Sequence, residues 1–342
     1  MLKSWDKRKL VPLAIVIILL GFWQIKRSQS ASHYIGISGT TMGPIVYNVK
    51  YNDLQDRNLQ PTIDSILNDF NSSLSTYVES SEISLFNITD SIIYQSPYLF
   101  PVFVESRKIY TITDGAFDPT VGPLVNAYGF GPGSKRVIDK LSLDSLLGLV
   151  GFDHVSFDSL GAKKSIKGSY LDFSAIAKGY AVDIIHRYLR SCDITDFMVE
   201  IGGEVSCFGK NPEGNIWRIG IEDPTVSVDT VLLKATVLLS DLTIATSGNY
   251  RNFYELDGKK YSHTINPKTG NPVDHSLLSA SVFAPTCMTA DALATGFMVL
   301  GLENSLKKVN LLDSVEAFFI YANEQGMVET IATDGIKKMI IQ

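Results

Sequence analysis

The segment Thr289-Ala-Asp-Ala-Leu-Ala-Thr-Gly-Phe-Met-Val-Leu-Gly301 is the most informative stretch of the chain. Thr289 is a residue type that caps helices, Gly301 is one that ends them, and the residues between are mostly apolar, which predicts a buried helix. Asp291 interrupts the apolar pattern in the predicted first turn, and Thr295 follows one helical turn later on the same face. A buried carboxylate needs a partner, because an unpaired buried charge costs several kcal/mol.

Two interpretations of Asp291 follow. An acid in the first turn of a helix complements the helix dipole. Alternatively, Asp291 and Thr295 supply oxygen ligands to a hard cation such as Mg²⁺. The segment by itself leaves both open, so the rest of the chain has to decide between them.

The composition is that of a folded protein with a large core. The chain has 342 residues, 45% of them hydrophobic, and a net charge of −6. This acidic balance argues against general nucleic-acid binding, which needs a basic face. Cys192, Cys207 and Cys287 are too few and too scattered for a four-thiolate zinc site, and they are interpreted as packing residues.

The amino terminus, residues 1–33, has the pattern of a targeting segment. Basic residues precede the apolar run Leu10–Trp23, which is shorter than the roughly 20 residues of a spanning helix and suits the apolar region of a signal peptide. A cleaved signal peptide and an uncleaved signal anchor both fit. The basic residues before the run predict that residues 34–342 lie on the far side of the membrane, so we expect an exported protein.

The remaining chain alternates strand and helix patterns irregularly. Tyr34–Tyr51 predicts two strands around a tight turn, Leu99–Ile112 a helix, and Phe197–Val205 a strand that ends at a glycine pair. Such an irregular order predicts an α+β fold rather than a doubly wound sheet.

Three segments carry candidate site residues. Gly115–Pro132 is rich in Gly and Pro and predicts a shaped loop, in which Asp118 is either a turn residue or a ligand-facing acid. Leu171–Asp183 predicts a strand feeding a helix, with small residues that permit close backbone approach to a phosphate or metal and with Lys178 as a solvated or phosphate-binding charge. Tyr261–Pro272 predicts a polar loop that carries His263.

The sequence lacks the motifs of several common enzyme classes. It contains no P-loop, no dinucleotide fingerprint after a strand, no His-Glu-x-x-His and no Gly-x-Ser-x-Gly. The candidates that remain combine hard oxygens, one lysine and one histidine: Asp172, Lys178, His263, Asp291 and Thr295. This combination is typical of a Mg²⁺-assisted diphosphate site.

The order of motifs along residues 37–335 resembles the ApbE family, exported flavin transferases that act as FAD:protein FMN transferases. The motifs are Thr-Met-Gly, Leu-Ser-Thr-Tyr with Ser-Glu-Ile-Ser-Leu-Phe-Asn, Gly-Ala-Phe-Asp-Pro-Thr-Val-Gly-Pro-Leu-Val-Asn, Leu-Asp-Phe-Ser-Ala-Ile-Ala-Lys-Gly-Tyr-Ala-Val-Asp, Gly-Gly-Glu, Ala-Thr-Ser-Gly, Ser-His-Thr-Ile-Asn-Pro-Lys-Thr-Gly and Thr-Ala-Asp-Ala-Leu-Ala-Thr.

This resemblance implies an ApbE-like α+β fold, one catalytic unit with intertwined lobes over residues 34–342. It implies transfer of FMN from the substrate FAD to a threonine or serine hydroxyl of an acceptor protein, with Mg²⁺ as cofactor and AMP as the leaving group. It also implies a location on the periplasmic side of the bacterial inner membrane. Redox-complex subunits in that membrane or soluble flavin carriers are the implied acceptors.

The resemblance also assigns residues. It places the metal ligands on Asp291, Thr295 and the main-chain carbonyl of Ala175, and it makes His263 the base that takes the acceptor's proton. It assigns contacts with FAD to Met42, Tyr77, Ala116, Phe117, Asp118, Asp172, Lys178 and Ile265.

Two residues depart from the family pattern. Pro44 stands where the family often has Thr, and Asn266 stands where Asp is common. We expect the change at Asn266 to weaken the orientation of His263.

Two alternative functions use the same site residues. One is a Mg²⁺-dependent FAD pyrophosphatase that makes FMN and AMP, and the other is an exported flavin-binding protein without turnover.

Overall fold

A computed structural model describes residues 33–132, 139–226, 232–249, 253–256 and 259–341. These residues form a mixed arrangement of helices and sheets, as the predicted α+β class requires. The predicted signal or anchor segment lies almost entirely outside them. Among the helices described, none has the length and apolar character needed to cross a bilayer.

The strands are β1 (Tyr34–Thr41), β2 (Ile45–Asn52), β3 (Ser91–Ile93), β4 (Val155–Phe157), β5 (Gly161–Lys164), β6 (Phe197–Ile201), β7 (Glu204–Phe208), β8 (Trp217–Glu222), β9 (Leu233–Leu239), β10 (Leu242–Gly248), β11 (Phe253–Leu256), β12 (Lys259–Ser262), β13 (Leu277–Ala284), β14 (Glu316–Ala322), β15 (Val328–Ala332) and β16 (Ile340–Ile341). The helices are α1 (Gln60–Leu74), α2 (Glu82–Ile88), α3 (Leu99–Ile112), α4 (Gly122–Tyr128), α5 (Lys140–Leu147), α6 (Ser174–Ser191), α7 (Cys287–Leu300), α8 (Leu302–Val309) and α9 (Asp334–Lys337).

An antiparallel sheet in the order β1-β2-β6-β7-β10-β13-β14-β15 forms the centre of the fold. Alternate residues of β14 show that both of its faces are buried: Ala317 and Phe319 pack into the core on the helical side, whereas Phe318 and Ile320 pack into a second core. That second core includes Trp217 of the smaller sheet β16-β9-β8, which therefore covers the other face. The central sheet thus lies between a helical layer and a smaller sheet.

Helices α6 and α7 lie side by side on the helical face, α6 along β6 and β7 and α7 along β10 and β13. Gly179 lies where they cross. A Cβ atom at this position would come within 2.2 Å of the Cys287 carbonyl oxygen and 2.8 Å of the Asp291 Cβ. Glycine is therefore required for this close approach, which brings residues of α6 next to Asp291.

The prediction that Thr289 caps the helix is wrong. Helix α7 begins at Cys287 with Thr286 as its N-cap, so Asp291 lies beyond the first turn. The carboxylate of Asp183 on α6 accepts hydrogen bonds from the Cys287 amide at 2.8 Å and the Met288 amide at 2.9 Å. These two backbone amides are thus satisfied by a tertiary contact that sequence patterns do not show. Gly301 ends the helix as predicted.

Two further predictions need correction. The segment Gly115–Pro132 is not an irregular loop, because it contains a 3₁₀ turn at Pro119–Val121 and helix α4, which ends at Gly129 with φ +81°. Proline in the first turn of each starts these elements. The predicted strand Phe197–Val205 is the hairpin β6–β7, turning at Gly202 and Gly203. The predicted helix Leu99–Ile112 is confirmed with the same bounds.

Candidate functional site

A cavity of about 600 Å³ opens beside α7 and collects most of the predicted site residues. It is bordered by α6, by α7, by the segment before α4 and by the loop between β12 and β13. The predicted residues that line it are Tyr77, Ala116, Phe117, Asp118, Asp172, Ala175, Lys178, His263, Ile265, Asp291 and Thr295.

Met42 is the predicted flavin contact that the structure does not bring to the cavity wall. It lies in the turn between β1 and β2 with φ +49°, and its partly buried side chain packs against the core on the helical side. Pro44, in the same turn, is exposed.

Asp291 is only 2% exposed and has two partners on α6. Its Oδ2 accepts a hydrogen bond from the Gly179 amide at 3.0 Å, and its Oδ1 lies 3.5 Å from Lys178 Nζ. Lys178 Nζ also donates to Oε1 of Glu204, the first residue of β7, which is likewise 2% exposed. These residues form a buried cluster of two carboxylates and one ammonium beside the cavity.

The charges in this cluster perturb one another. Burial raises the pKa of Glu204 above its ordinary value, against the opposing effect of Lys178 and with a further contribution from Asp291. Burial by itself lowers the pKa of Lys178, but Asp291 and Glu204 outweigh it and raise that pKa above its ordinary value. Among the described residues, Glu204 Oε2 has no hydrogen-bond partner although it is buried. The cluster therefore has more acceptor capacity than positive charge.

Sequence reasoning did not select Glu204 as a site residue. The signal was present in the Gly-Gly-Glu motif, because Gly202 and Gly203 both adopt positive φ in the hairpin that presents Glu204. A Cβ atom at Gly202 would come within 2.8 Å of Ile45 and 3.4 Å of Lys178 Cδ. The absence of a side chain at Gly202 therefore leaves room for the aliphatic part of the Lys178 side chain.

The corner around Asp291 offers the oxygen donors that Mg²⁺ prefers. The Thr295 hydroxyl lies 3.1 Å from that of Ser247 on β10, a cavity residue that the sequence did not single out. The Gly179 amide, which in a regular helix pairs with the carbonyl of Ala175, donates to Asp291. Within the described ranges no three or more His, Cys, Asp or Glu side chains group as metal ligands. These residues therefore fit a cation held by one carboxylate, hydroxyls, a carbonyl and substrate oxygens.

Asp118, which also lines the cavity, holds its own loop in place. Its Oδ1 accepts from the Thr120 amide at 2.8 Å and the Thr120 hydroxyl at 2.6 Å, and its Oδ2 accepts from the Phe152 amide at 3.3 Å. Burial raises the pKa of Asp118 despite these hydrogen bonds. The turn-residue interpretation of Asp118 is confirmed, and the residue also borders the cavity.

Asp172 is fixed by its neighbours on both sides. Its amide donates to the Pro119 carbonyl at 2.7 Å, and its Oδ1 accepts from the Ser174 amide at 2.8 Å. The residue before it, Leu171, is paired with Asn87: the Asn87 side chain donates to the Leu171 carbonyl and accepts from the Leu171 amide, both at 2.8 Å. Asn87 is the last residue of the Ser-Glu-Ile-Ser-Leu-Phe-Asn motif and was not a predicted site residue. Its two hydrogen bonds set the position of the segment that enters the cavity.

His263 lies half-buried on the loop between β12 and β13, and it lines the cavity beside Phe130. The two rings meet edge to face, with centroids 6.3 Å apart. In the same loop, Asn266 Oδ1 accepts from the amides of Lys268 at 2.9 Å and Thr269 at 3.3 Å, which stabilises the turn. Tyr77 is 68% exposed, so it lies at the rim.

Comparison with known proteins gives consistent matches over most of the chain. The ApbE family model matches residues 39–319. A protein from Vibrio cholerae named FAD:protein FMN transferase is 37% identical over 336 residues, covering 96% of each chain, and one of the same name from Haemophilus influenzae is 38% identical over 328 residues, covering 91% of this chain and 93% of the other.

Solved structures show the same similarity. The flavin transferase ApbE from Vibrio cholerae superposes with a TM-score of 0.82 at 36% identity, covering 90% of this chain and 99% of that one. The apo flavinyl transferase ApbE from Pseudomonas stutzeri gives a TM-score of 0.79 at 33% identity, covering 90% and 96%.

Proposed function

The chain belongs to the ApbE family, and on that premise we propose that it transfers the FMN moiety of FAD to a threonine or serine hydroxyl of an acceptor protein and releases AMP. One observation supports this proposal most strongly. The oxygen-rich corner of Asp291 and Thr295, the lysine Lys178 and the histidine His263 line the same cavity, although they come from three separate parts of the chain.

The cavity suits a dinucleotide. Its volume of about 600 Å³ lies within the range of small-molecule sites, and its walls combine aromatic and apolar groups with a few polar ones. Phe117, Phe130 and the exposed Tyr77 offer surfaces for flat rings. Asp172 offers carboxylate oxygens to ribityl or ribose hydroxyls, while Lys178 places a positive charge near the diphosphate.

The transfer forms one P–O bond and breaks another. The acceptor hydroxyl attacks the FMN-side phosphorus, the bond from that phosphorus to the bridging oxygen breaks, and AMP leaves with the bridging oxygen. Mg²⁺ bound by Asp291, Thr295 and the Ala175 carbonyl would neutralise charge on the diphosphate oxygens.

His263 accepts the proton of the acceptor hydroxyl as the new bond forms. The ring of Phe130 packs edge to face against the His263 ring. Because the nucleophile belongs to the acceptor, the chain needs no reactive serine of its own. The protein's main contribution is to position the two substrates and supply charge.

The apolar amino-terminal segment supports an exported protein that acts on the periplasmic side of the inner membrane, anchored there or released after cleavage. The acceptor would then be a redox-complex subunit of that membrane or a soluble flavin carrier.

A single incubation tests the proposal. The protein is mixed with FAD, Mg²⁺ and a candidate acceptor domain, and the acceptor is examined by mass spectrometry while AMP is measured by chromatography. An FMN-sized addition on a hydroxyl residue, with equal AMP, is expected. AMP and free FMN without a flavinylated acceptor would indicate a pyrophosphatase, and intact bound FAD would indicate a binding protein without turnover.

A further inference from the structure

We infer that Lys178 and the divalent cation compete for Asp291, and that Glu204 is the counter-ion that holds Lys178 when the cation is bound. This inference rests on the cation site of the proposed function. It assigns roles to two groups of this chain that the metal-ligand set does not include.

The ammonium of Lys178 lies at the carboxylate oxygen that is most open to a cation. Lys178 Nζ is 3.5 Å from Asp291 Oδ1, whereas Oδ2 of the same carboxylate accepts a hydrogen bond from the Gly179 amide. Because the positive charges of the ammonium and a cation repel each other strongly in a poorly solvated site, binding of one at Oδ1 weakens binding of the other.

Lys178 has a second carboxylate partner. Its contact with Glu204 Oε1 is closer than its contact with Asp291. Glu204 is 2% exposed and lies in the hydrogen-bonded hairpin β6–β7, so we expect it to stay within reach of Lys178 when Asp291 is occupied. Without Glu204, a lysine displaced by the cation would lose its remaining carboxylate partner within the cluster.

One buried acceptor of the cluster is left unsatisfied. Lys178 contacts both Asp291 and Glu204, and Glu204 Oε2 is buried without a hydrogen-bond partner among the described residues. A buried acceptor without a partner is unfavourable, so the contacts of Lys178 do not satisfy every oxygen of the two side chains. The cluster therefore keeps capacity to bind one further cation at Asp291.

The closeness of α6 and α7 makes this arrangement specific. Gly179 permits a helix contact at which even one Cβ atom would come within 2.8 Å of the Asp291 Cβ. Lys178, the neighbouring residue on α6, is thereby held beside Asp291 rather than in solvent. The competition between Lys178 and the cation for Asp291 therefore depends on the packing of α6 against α7.

The test measures metal binding rather than activity. Binding of Mn²⁺, used as the probe for the divalent site, is followed by calorimetry and by electron paramagnetic resonance, with and without FAD. In Lys178→Met we expect the dissociation constant for Mn²⁺ to fall roughly three- to tenfold, because the competing charge is gone. The control Lys163→Met, which changes an exposed lysine on β5, should leave it unchanged.

Glu204→Gln should raise the dissociation constant by a similar factor, because Lys178 then pairs with Asp291 alone. In the Lys178→Met background the same change should have little effect, since Glu204 acts through the lysine. Circular dichroism and thermal unfolding confirm that each variant is folded. If Glu204→Gln does not fold, the Mn²⁺ affinity of Lys178→Met compared with that of the wild type still tests whether Lys178 competes with the cation.

Equal or weaker Mn²⁺ binding in Lys178→Met, or additive effects in the double variant, would overturn the competition while leaving the proposed function in place. If the folded wild type binds no Mn²⁺ with or without FAD, the metal site of the proposed function fails, and the competition fails with it.

Discussion

The amide of Gly179 donates a hydrogen bond to Asp291 Oδ2 across 3.0 Å, joining two helices that lie 112 positions apart in the chain. This contact satisfies one oxygen of a buried carboxylate. The other oxygen lies 3.5 Å from Lys178 Nζ. It also requires a residue without a side chain, because a Cβ atom on Gly179 would meet the Cys287 carbonyl. The position of Asp291 therefore depends on the close packing of α6 against α7.

Gly179→Ala is expected to destabilise the fold by about 1–3 kcal/mol, the usual cost of overpacking, since the added methyl meets backbone rather than a flexible side chain. Urea unfolding measures the change. Gly36→Ala is the matched control, because Gly36 is exposed on β1 and a Cβ atom there meets nothing within 4 Å. Equal stability of the two variants would show that α6 and α7 can separate at little cost.

Asp291→Asn keeps an acceptor for the Gly179 amide but removes the carboxylate charge. We expect AMP release from FAD to fall by about 10²-fold or more, since metal-assisted charge stabilisation is worth several kcal/mol. The melting temperature should change little. Asp144→Asn, at an exposed position on α5, is the control. Unchanged AMP release in Asp291→Asn would remove this residue from the cation site.

His263→Gln is expected to retain FAD affinity and to slow transfer to the acceptor by about 10²-fold, the lower end of the contribution of a general base. Stopped-flow or quenched assays with a saturating acceptor measure the transfer rate. His154→Gln, an exposed histidine, should behave as wild type. Normal transfer by His263→Gln would assign proton removal to another group.

Asn87→Ala removes both hydrogen bonds to Leu171, the residue before Asp172. We expect the dissociation constant for FAD to rise roughly five- to thirtyfold, which corresponds to one to two lost hydrogen bonds at about 1 kcal/mol each, while the rate at saturating FAD changes less. Asn304→Ala, which removes a single exposed hydrogen bond on α8, is the control. An FAD affinity equal to wild type would show that Asp172 keeps its place without Asn87.

Asp183 predicts a pH dependence of stability. Burial raises its pKa from 3.8 to about 6, against the opposing effect of hydrogen bonds from the Met288 and Cys287 amides. The folded protein therefore binds a proton that the unfolded chain has released between these values, and this contribution to stability falls as pH rises from about 4 to about 6.

Comparison with Asp183→Asn isolates this effect, because the variant has no carboxyl group to titrate at that position. The difference in free energy of unfolding, wild type minus variant, should decrease with pH through this window and stay constant above it. Urea unfolding at half-unit pH steps provides the measurement. A difference that is constant or increases with pH would contradict the raised pKa.

Several elements were predictable because their signals are local. Apolar residues at helical spacing gave Leu99–Ile112, and alternation around a tight turn gave β1 and β2. The site residues predicted from the ordered motifs all line the cavity except Met42, but the motifs did not single out Ser247, which also lines it. The start of α7 was misplaced because Thr286, three residues before Thr289, is the N-cap, while Asp183 of another helix accepts hydrogen bonds from the Cys287 and Met288 amides.

The sequence by itself determined the mixed fold class, the buried character of the helix that carries Asp291 and Thr295, and the family. These depend on the periodicity and order of residues along the chain. Only the tertiary structure decided that Glu204 joins Lys178 and Asp291, that Asn87 fixes Leu171, and that Met42 packs against the core instead of lining the cavity. The physical reason is that each of these depends on distances between segments far apart in the chain, which close packing sets and no local pattern records.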